Sequence, residues 1–510
     1  MITRRTFVVG AAAFPTILHG ASLTSSATVD TTVGRVRGSV EGGLQVFRGI
    51  RYGTAERFRA PVAPKPSARV IEALSFGPSA PQKNDRYNPQ SEDCLFLNVW
   101  TPEARRGANL PVMVYIHGGA YSTGSVVDPL NDGRHLAAHG VVCVTVNHRL
   151  NALGYLYLAR LDRRFLDSGN AGQLDLILAL KWIRENISNF GGDPSRIMVF
   201  GQSGGGAKIA TLMGMPAAAG LFHRAVTMSG QQVTASGPLH ATERARAYLA
   251  KLKATPADLA GMPLERLVDA LDATDPIMGG GVYFGPVLDM RWLTRHPFWP
   301  DANPQSNRIP MILGNTHDET RAFIPRQRMA GLTWDNLAER MAPELKVDIL
   351  PEWVVSEYRR MFPAYTPEEV FYAATTAGRS WRGQVEEAEA RAKANTLTWV
   401  YQVDFRSPTE PWRGAPHTMD IALSFGTLDA PGSFTGTGPA ARLASDAMMR
   451  SFIAFAATGN PNHRGLPDWP MYRLPQRSTM IFDAPPHRED DPRREQRELF
   501  ARVPYIQPGT

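Results

Sequence analysis

Ser203 stands in Gly201-Gln202-Ser203-Gly204-Gly205, directly after the apolar, β-rich run Ile197-Met198-Val199-Phe200 and before a segment compatible with a helix. A serine at the tip of a sharp strand-to-helix turn presents its hydroxyl to a substrate, and the residues two before and two after it must be small for strand and helix to pass one another. Gly201 and Gly205 meet that requirement, so Ser203 is the candidate nucleophile. A hydroxyl nucleophile also needs a base to take its proton, an acid to orient that base, and donors for the negative oxygen of a tetrahedral intermediate. His117-Gly118-Gly119-Ala120-Tyr121 follows the strand-like run 111–116, and its flexible backbone can aim successive N–H groups at one point, with the Gly204 N–H completing the set. The chemistry open to such a set is acyl transfer through a covalent serine intermediate.

Where a serine sits on an elbow of this kind, the acid and the histidine follow it along the chain in that order. With the acid just beyond the strand-like run 309–314, three of the twelve histidines follow it: His417, His463 and His487. His463 ends the turn-rich Gly459-Asn460-Pro461-Asn462-His463 and His487 lies in a charged, Pro-rich tail, both ordinary settings for solvated histidines. His417 follows the run 397–403 across a loop and is the candidate base. Asp318 and Glu319 both follow the run 309–314, and spacing alone does not separate them. His317 beside them lacks a companion His/Cys cluster at ligand spacing, so no metal or cofactor is implied. Gly279-Gly280-Gly281 lacks the Lys-Ser/Thr ending of a phosphate loop and reads as a bend.

These residues need a scaffold, and the sequence supplies its pattern. Runs 97–100, 112–116, 141–146 and 197–200 are short, apolar and β-rich, separated by segments of helical periodicity, which predicts an α/β protein with a central, mostly parallel sheet flanked by helices. Leu174, Leu176, Ile177, Leu180, Trp182, Ile183 and Ile187 recur at helical spacing, and 443–458 reads as a final amphipathic helix. Segments 32–38 and 44–50 alternate like paired strands of a small N-terminal antiparallel sheet, followed by a Pro-rich surface connection over 61–81. Residues 241–275 and 333–395 predict helical insertions roofing the active site, with 386–394 as a solvated helix face. Tyr121, Trp292, Phe298 and Trp299 are candidates to line a substrate pocket, although aromatic residues more often pack in the core.

The chain of 510 residues is 43% hydrophobic, which excludes a disordered protein, and its net charge of +7 is scattered rather than gathered into the basic runs of a nucleic-acid surface. With only Cys94 and Cys143, neither a cysteine framework nor a Cys-ligated zinc site can be built. Residues 1–27 carry Arg4-Arg5 ahead of an apolar stretch interrupted by Pro15 and His19, which reads as a twin-arginine signal, with periplasmic or secreted localisation expected. Residues 28–510 then form one domain, and no segment within them is long and apolar enough for a helix to span a bilayer.

Two longer motifs resemble the type B carboxylesterase and cholinesterase family of α/β-hydrolases. One runs from Phe190-Gly191-Gly192-Asp193-Pro194 to the Ser203 elbow, the other from Glu92-Asp93-Cys94-Leu95 to Trp100-Thr101-Pro102. The resemblance spans nearly all of residues 28–510. It implies Glu319 as the acid, His417 as the base, and Gly119, Ala120 and Gly204 as oxyanion donors. It also implies a serine esterase that needs no cofactor and takes a small-molecule ester. Three departures stand out: Gln202 replaces a Glu common before the serine, Gly204 an Ala after it, and Ala120 a third glycine. The first removes a carboxylate, and with it a source of histidinium stabilisation. Ala80 stands where many relatives have the cysteine that partners Cys94, so Cys94 is expected as a reduced, packed thiol. An amidase or carbamate hydrolase on the same residues is the alternative chemistry, and a non-catalytic binding protein the alternative class.

Overall fold

The computed structural model describes residues 27–507 and Gly509, so the proposed signal, apart from Ala27, lies outside the described residues. Strands form where β-branched and aromatic residues cluster: β1 (Thr28–Thr31), β2 (Gly34–Arg37), β3 (Ser39–Glu41), β4 (Leu44–Arg51), β5 (Ile71–Glu72), β6 (Phe96–Thr101) and β7 (Leu110–Ile116). They continue as β8 (Val142–Val146), β9 (Gly192–Gln202), β10 (Arg224–Met228), β11 (Met311–Thr316), β12 (Thr398–Val403), β13 (Ser478–Phe482) and β14 (His487–Asp490). Eleven of them make one sheet in the order β14-β13-β12-β11-β10-β9-β7-β8-β6-β4-β3. From β8 to β13 every neighbouring pair in that order is parallel, and antiparallel strands close both edges.

Because side chains alternate across a strand, the sheet feeds two cores. Val112, Val114, Ile197 and Val199 meet Leu176, Leu180 and Ile183 of the helix Ala171–Asn186 on one face. On the other face, Met113, Tyr115, Met198 and Phe200 meet Met448, Phe452 and Phe455 of the helix Pro439–Thr458. Successive residues of β7 and β9 therefore serve opposite cores. Such strands are apolar throughout, which is why their runs are legible in the sequence.

Segments 32–38 and 44–50 do not pair with each other. β3 and β4 are joined by Gly42-Gly43, both at positive φ, a two-residue turn that fixes Glu41 opposite Leu44 and carries β4 into the large sheet. This leaves β2 to pair with β1 and with β5, in a separate three-stranded sheet. β5 lies inside the stretch expected to be a plain surface connection. β10, β13 and β14, which places His487 in an exposed strand, are too short or too charged to be read from periodicity.

The insertions are helical as expected, including Pro238–Leu252 and a run from Leu337 to Lys393 with its own apolar core. The reading of 386–394 as a solvated face is overturned: in the helix Arg382–Lys393, Glu387, Ala388 and Arg391 are buried. Both side chains bond to protein groups, although Glu387 Oε2 has no hydrogen-bond partner among the described residues. Glu387 accepts the Gln232 N–H at 2.6 Å, while Arg391 donates to Thr398 Oγ1 at 2.9 Å and to the carbonyls of Ile309 at 2.8 Å and Ser306 at 3.3 Å. Arg391→Ala would strand these buried acceptors, and urea unfolding is expected to show a loss of about 3 kcal/mol. A loss below ~1 kcal/mol, the value of an exposed pair, would contradict this account.

Candidate active site

β9 ends at Gln202 and the helix Gly204–Leu212 begins at once, so the single residue Ser203 must reverse the chain. It does so at φ 58° and ψ −128°, a conformation that costs a non-glycine residue about 1–3 kcal/mol. The Ser203 N–H bonds to Met228 O of β10 at 2.7 Å, and Ser203 O accepts from Ala207 N at 3.1 Å. The turn is also pressed against β7. A Cβ on Gly201 would come within 2.6 Å of Ile116 O, and one on Gly205 within 2.0 Å of the same oxygen. Only glycine fits either position.

Beyond Ile116 the chain passes through His117 and Gly118 into Gly119, Ala120 and Tyr121, three successive residues at positive φ. Ser122 N and Thr123 N both close onto Gly119 O at 2.9 Å, and Asn151 N holds Tyr121 O at 2.7 Å. This leaves the N–H groups of Gly119, Ala120 and Gly204 without an acceptor among the described residues. Ala120 and Gly204 are in close apposition, since a Cβ on Gly204 would stand 2.8 Å from Ala120 N. The glycine after the serine is thus the residue that this loop position leaves room for.

His417 is carried by the loop after β12, just before the helix Met419–Phe425, and is buried. Its Nδ1 bonds to Oε2 of Glu319, which follows β11 and is fully buried. The other Glu319 oxygen accepts Thr316 N at 2.8 Å and Asn315 Nδ2 at 3.2 Å. Burial works against ionisation of Glu319, but the charge and hydrogen bond of His417 together with these donors outweigh it and hold the carboxyl below its ordinary range. Asp318 points elsewhere: it accepts Ala415 N at 3.0 Å and faces His317 at 3.3 Å. Of the two acids that spacing left open, Glu319 is the one on His417.

The other histidine nitrogen, Nε2, faces the side-chain amide of Gln202 at 3.1 Å. With the amide as donor, Nε2 is unprotonated and Nδ1–H points to Glu319, the tautomer a general base requires. No hydrogen bond joins Ser203 Oγ to His417 in this state. Gln202 holds the nitrogen that the serine would use.

A cleft of about 400 Å³ opens beside Gly118, Gly119, Gln202 and His417, with Leu130, Ile421 and Phe434 on its apolar walls. Phe323 packs against His417 at 4.6 Å between ring centroids, with the rings tilted by 53°. The sequence-based pocket candidates do not line this cleft. Tyr121 is buried with its hydroxyl on Gln232 Oε1 at 2.7 Å, Trp292 donates to Asp167 at 2.7 Å, Phe298 packs in the main core and Trp299 is exposed. Cys94 and Cys143 are both buried free thiols, and Ala80 is buried as well. Among the described residues no group of three or more His, Cys, Asp or Glu side chains is arranged to hold a metal.

A family model for carboxylesterases matches residues 25–500. The para-nitrobenzyl esterase of Bacillus subtilis (strain 168) is 34% identical over 499 residues, covering 92% of this chain and 97% of that protein. The chain belongs to the carboxylesterase family. The fumonisin B1 esterase of Sphingopyxis macrogoltabida is 30% identical, with 92% of this chain and 88% of that protein covered. A crystal structure of a Geobacillus stearothermophilus carboxylesterase superposes with a TM-score of 0.81 at 33% identity, covering 93% of this chain and 99% of that one. This carboxylesterase is accordingly a carboxylic ester hydrolase of α/β-hydrolase fold.

Two groups close to His417 were not identified from the sequence as part of the site. Asp420, three residues after His417, is fully buried, and burial together with the nearby Glu319 charge pushes its carboxyl up to about 7. Tyr401 donates to it at 3.1 Å. Phe323 is the other. Both lie a few residues from quoted motif positions, but nothing in their spacing marks them. The Gln202 contact generates a prediction for this carboxylesterase: Gln202→Glu puts a carboxylate beside Nε2, which favours the protonated imidazole. The acid limb of kcat/KM is therefore expected to move up by about one pH unit. An unmoved limb in a folded variant would show that residue 202 does not act on His417.

Proposed function

We propose that this carboxylesterase cleaves its ester through a Ser203, His417 and Glu319 triad, with the N–H groups of Gly119, Ala120 and Gly204 as the oxyanion hole. In the first half-reaction Ser203 Oγ attacks the ester carbonyl carbon while His417 Nε2 takes the hydroxyl proton, exchanging its Gln202 partner for the serine. The carbonyl oxygen, now negative, is held by the three backbone donors. Collapse of the tetrahedral intermediate breaks the bond to the alcohol oxygen, which leaves with the proton from His417. Water, deprotonated by His417, then attacks the acyl-serine and frees the acid. Glu319 holds Nδ1–H throughout and stabilises the imidazolium.

The observation that carries this reading is the buried Glu319 to His417 contact beside a strained serine and three N–H groups with no acceptor of their own. The apolar walls of the cleft favour esters with a hydrocarbon portion on that side. Ser203→Ala is expected to lower p-nitrophenyl butyrate turnover by ~10³-fold or more, and a matched p-nitroanilide to be a far poorer substrate. Near-normal turnover by Ser203→Ala would remove the serine mechanism, while comparable cleavage of the anilide would make the enzyme an amidase as well.

We also infer export by the twin-arginine route, a reading supported by Arg4-Arg5 ahead of the apolar stretch. Replacing both arginines by lysine is expected to retain the enzyme inside the cell in fractionation of a host with that pathway. An unchanged distribution would refute it.

A further inference from the structure

Behind the oxyanion loop lies a cluster that the proposed mechanism leaves unused. Lys208 is one helical turn beyond Gly204 on the helix Gly204–Leu212 and is fully buried. Its Nζ donates to His117 O at 3.1 Å and stands 5.3 Å from the centre of the Tyr121 ring, so it grips the loop 117–121 on both sides of the glycines. Tyr121 is backed by Tyr155 at 5.0 Å and Tyr283 at 6.3 Å. The His117 ring stacks on His148 at 4.5 Å.

Lys208 forms no ion pair with a carboxylate among the described residues. Asp175, on the neighbouring helix whose Gln173 bonds Lys208 O at 3.0 Å, is engaged by Arg149 at 2.6 Å. Glu387, on the far side of Tyr121 and Gln232, is pushed up to about 8 by burial. Burial draws the Lys208 ammonium down to about 7, His117 to about 3, and His148 well below its ordinary value, with the Lys208 charge opposing both histidines. Any positive charge in the cluster therefore resides on Lys208. An isolated buried cation is costly to maintain, and a structural role alone would be served by an apolar side chain of similar length.

We propose that Lys208 is a positioning residue for ester hydrolysis: its buried ammonium holds the oxyanion loop through His117 O and Tyr121 and adds a positive field to the Gly119, Ala120 and Gly204 N–H groups. The inference rests on the triad and oxyanion assignment above. In water such a charge would be screened, but in the interior its field persists across a helical turn. It acts on the oxyanion, whereas the carboxylate absent at position 202 would act on the histidinium. The charged form is the active one, so turnover must fall as Lys208 loses its proton on the alkaline side.

The test is kcat and KM for p-nitrophenyl butyrate from pH 6 to 10 with wild type, Lys208→Met and Lys208→Gln, and with Ser203→Ala as control. Glutamine keeps a donor for His117 O but no charge. The wild type is expected to lose activity from just above pH 7. Both lysine variants are expected to lose that alkaline limb and to show kcat lowered about tenfold at pH 7, with KM changed less than about threefold. Wild-type kcat and an intact limb in Lys208→Gln would overturn the role of the charge. A wild-type profile flat from pH 7 to 10 would overturn it without any variant, which covers the case where the substitutions do not fold. If Ser203→Ala remains active, the triad reading fails instead. An inactive Ser203→Ala beside unaffected lysine variants confines the failure to Lys208.

Discussion

The approach of β7 to the turn at Ser203 is the constraint on which the site depends. Ile116 O lies so close to Gly201 and Gly205 that neither can carry a side chain, and this contact presses the end of one strand against the elbow of the next. The pairing of β7 with β9 runs in register up to Ile116 opposite Gly201, so the sheet itself delivers the contact. Two consequences follow from one geometry. The serine is forced into a conformation that residues rarely adopt, and the segment leaving β7 is brought alongside the first turn of the helix Gly204–Leu212. The loop N–H groups and the Gly204 N–H share a location because β7 and β9 are neighbours.

The second organising problem is charge kept away from water. Glu319 is fully buried yet held below the ordinary carboxyl range, because backbone and amide donors share it with His417. Arg149 and Asp175 form a close buried pair, as do Arg244 and Asp275. Arg391 relies on carbonyl oxygens in place of an acid. Each arrangement satisfies the rule that a buried charge needs partners, and each ties elements far apart in sequence. Lys208 stands apart, with a single carbonyl and an aromatic face.

The residues around Ser203 fit together in space. Position 202 carries an amide that donates to His417, position 204 lacks a side chain because Ala120 N lies against it, and position 208 carries a buried amine beneath the same loop. Relative to a site with a carboxylate before the serine, a negative charge is missing beside His417. The family shows that the chain is an ester hydrolase.

Much of this was legible in the linear chain, for reasons that can be named. Continuous apolar runs mark strands buried on both faces, and glycines flanking a serine after such a run mark an elbow that sterics permit in few other ways. Histidine order along the chain left three candidates, and the loop after the run 397–403 made His417 the preferred one. Spacing could not choose between Asp318 and Glu319, because adjacent residues differ in direction rather than in position, and only the turn after β11 aims one carboxylate at the ring. The pairing of β3 with β4 was hidden for a similar reason: alternation shows that a segment is a strand but not which strand it meets, and the Gly42-Gly43 turn made that choice. Charged periodicity suggested a wet helix where Glu387 and Arg391 are buried, since their partners are backbone groups that leave no trace in composition. Sequence determined most of the elements, the candidate nucleophile and the resemblance to the family, which depend on local sterics and hydrophobic pattern. Tertiary structure decided which acid meets the histidine, which aromatic residues leave the cleft, and that Lys208 stands behind the loop 117–121 with no carboxylate partner among the described residues, because those are distances between segments the chain keeps far apart.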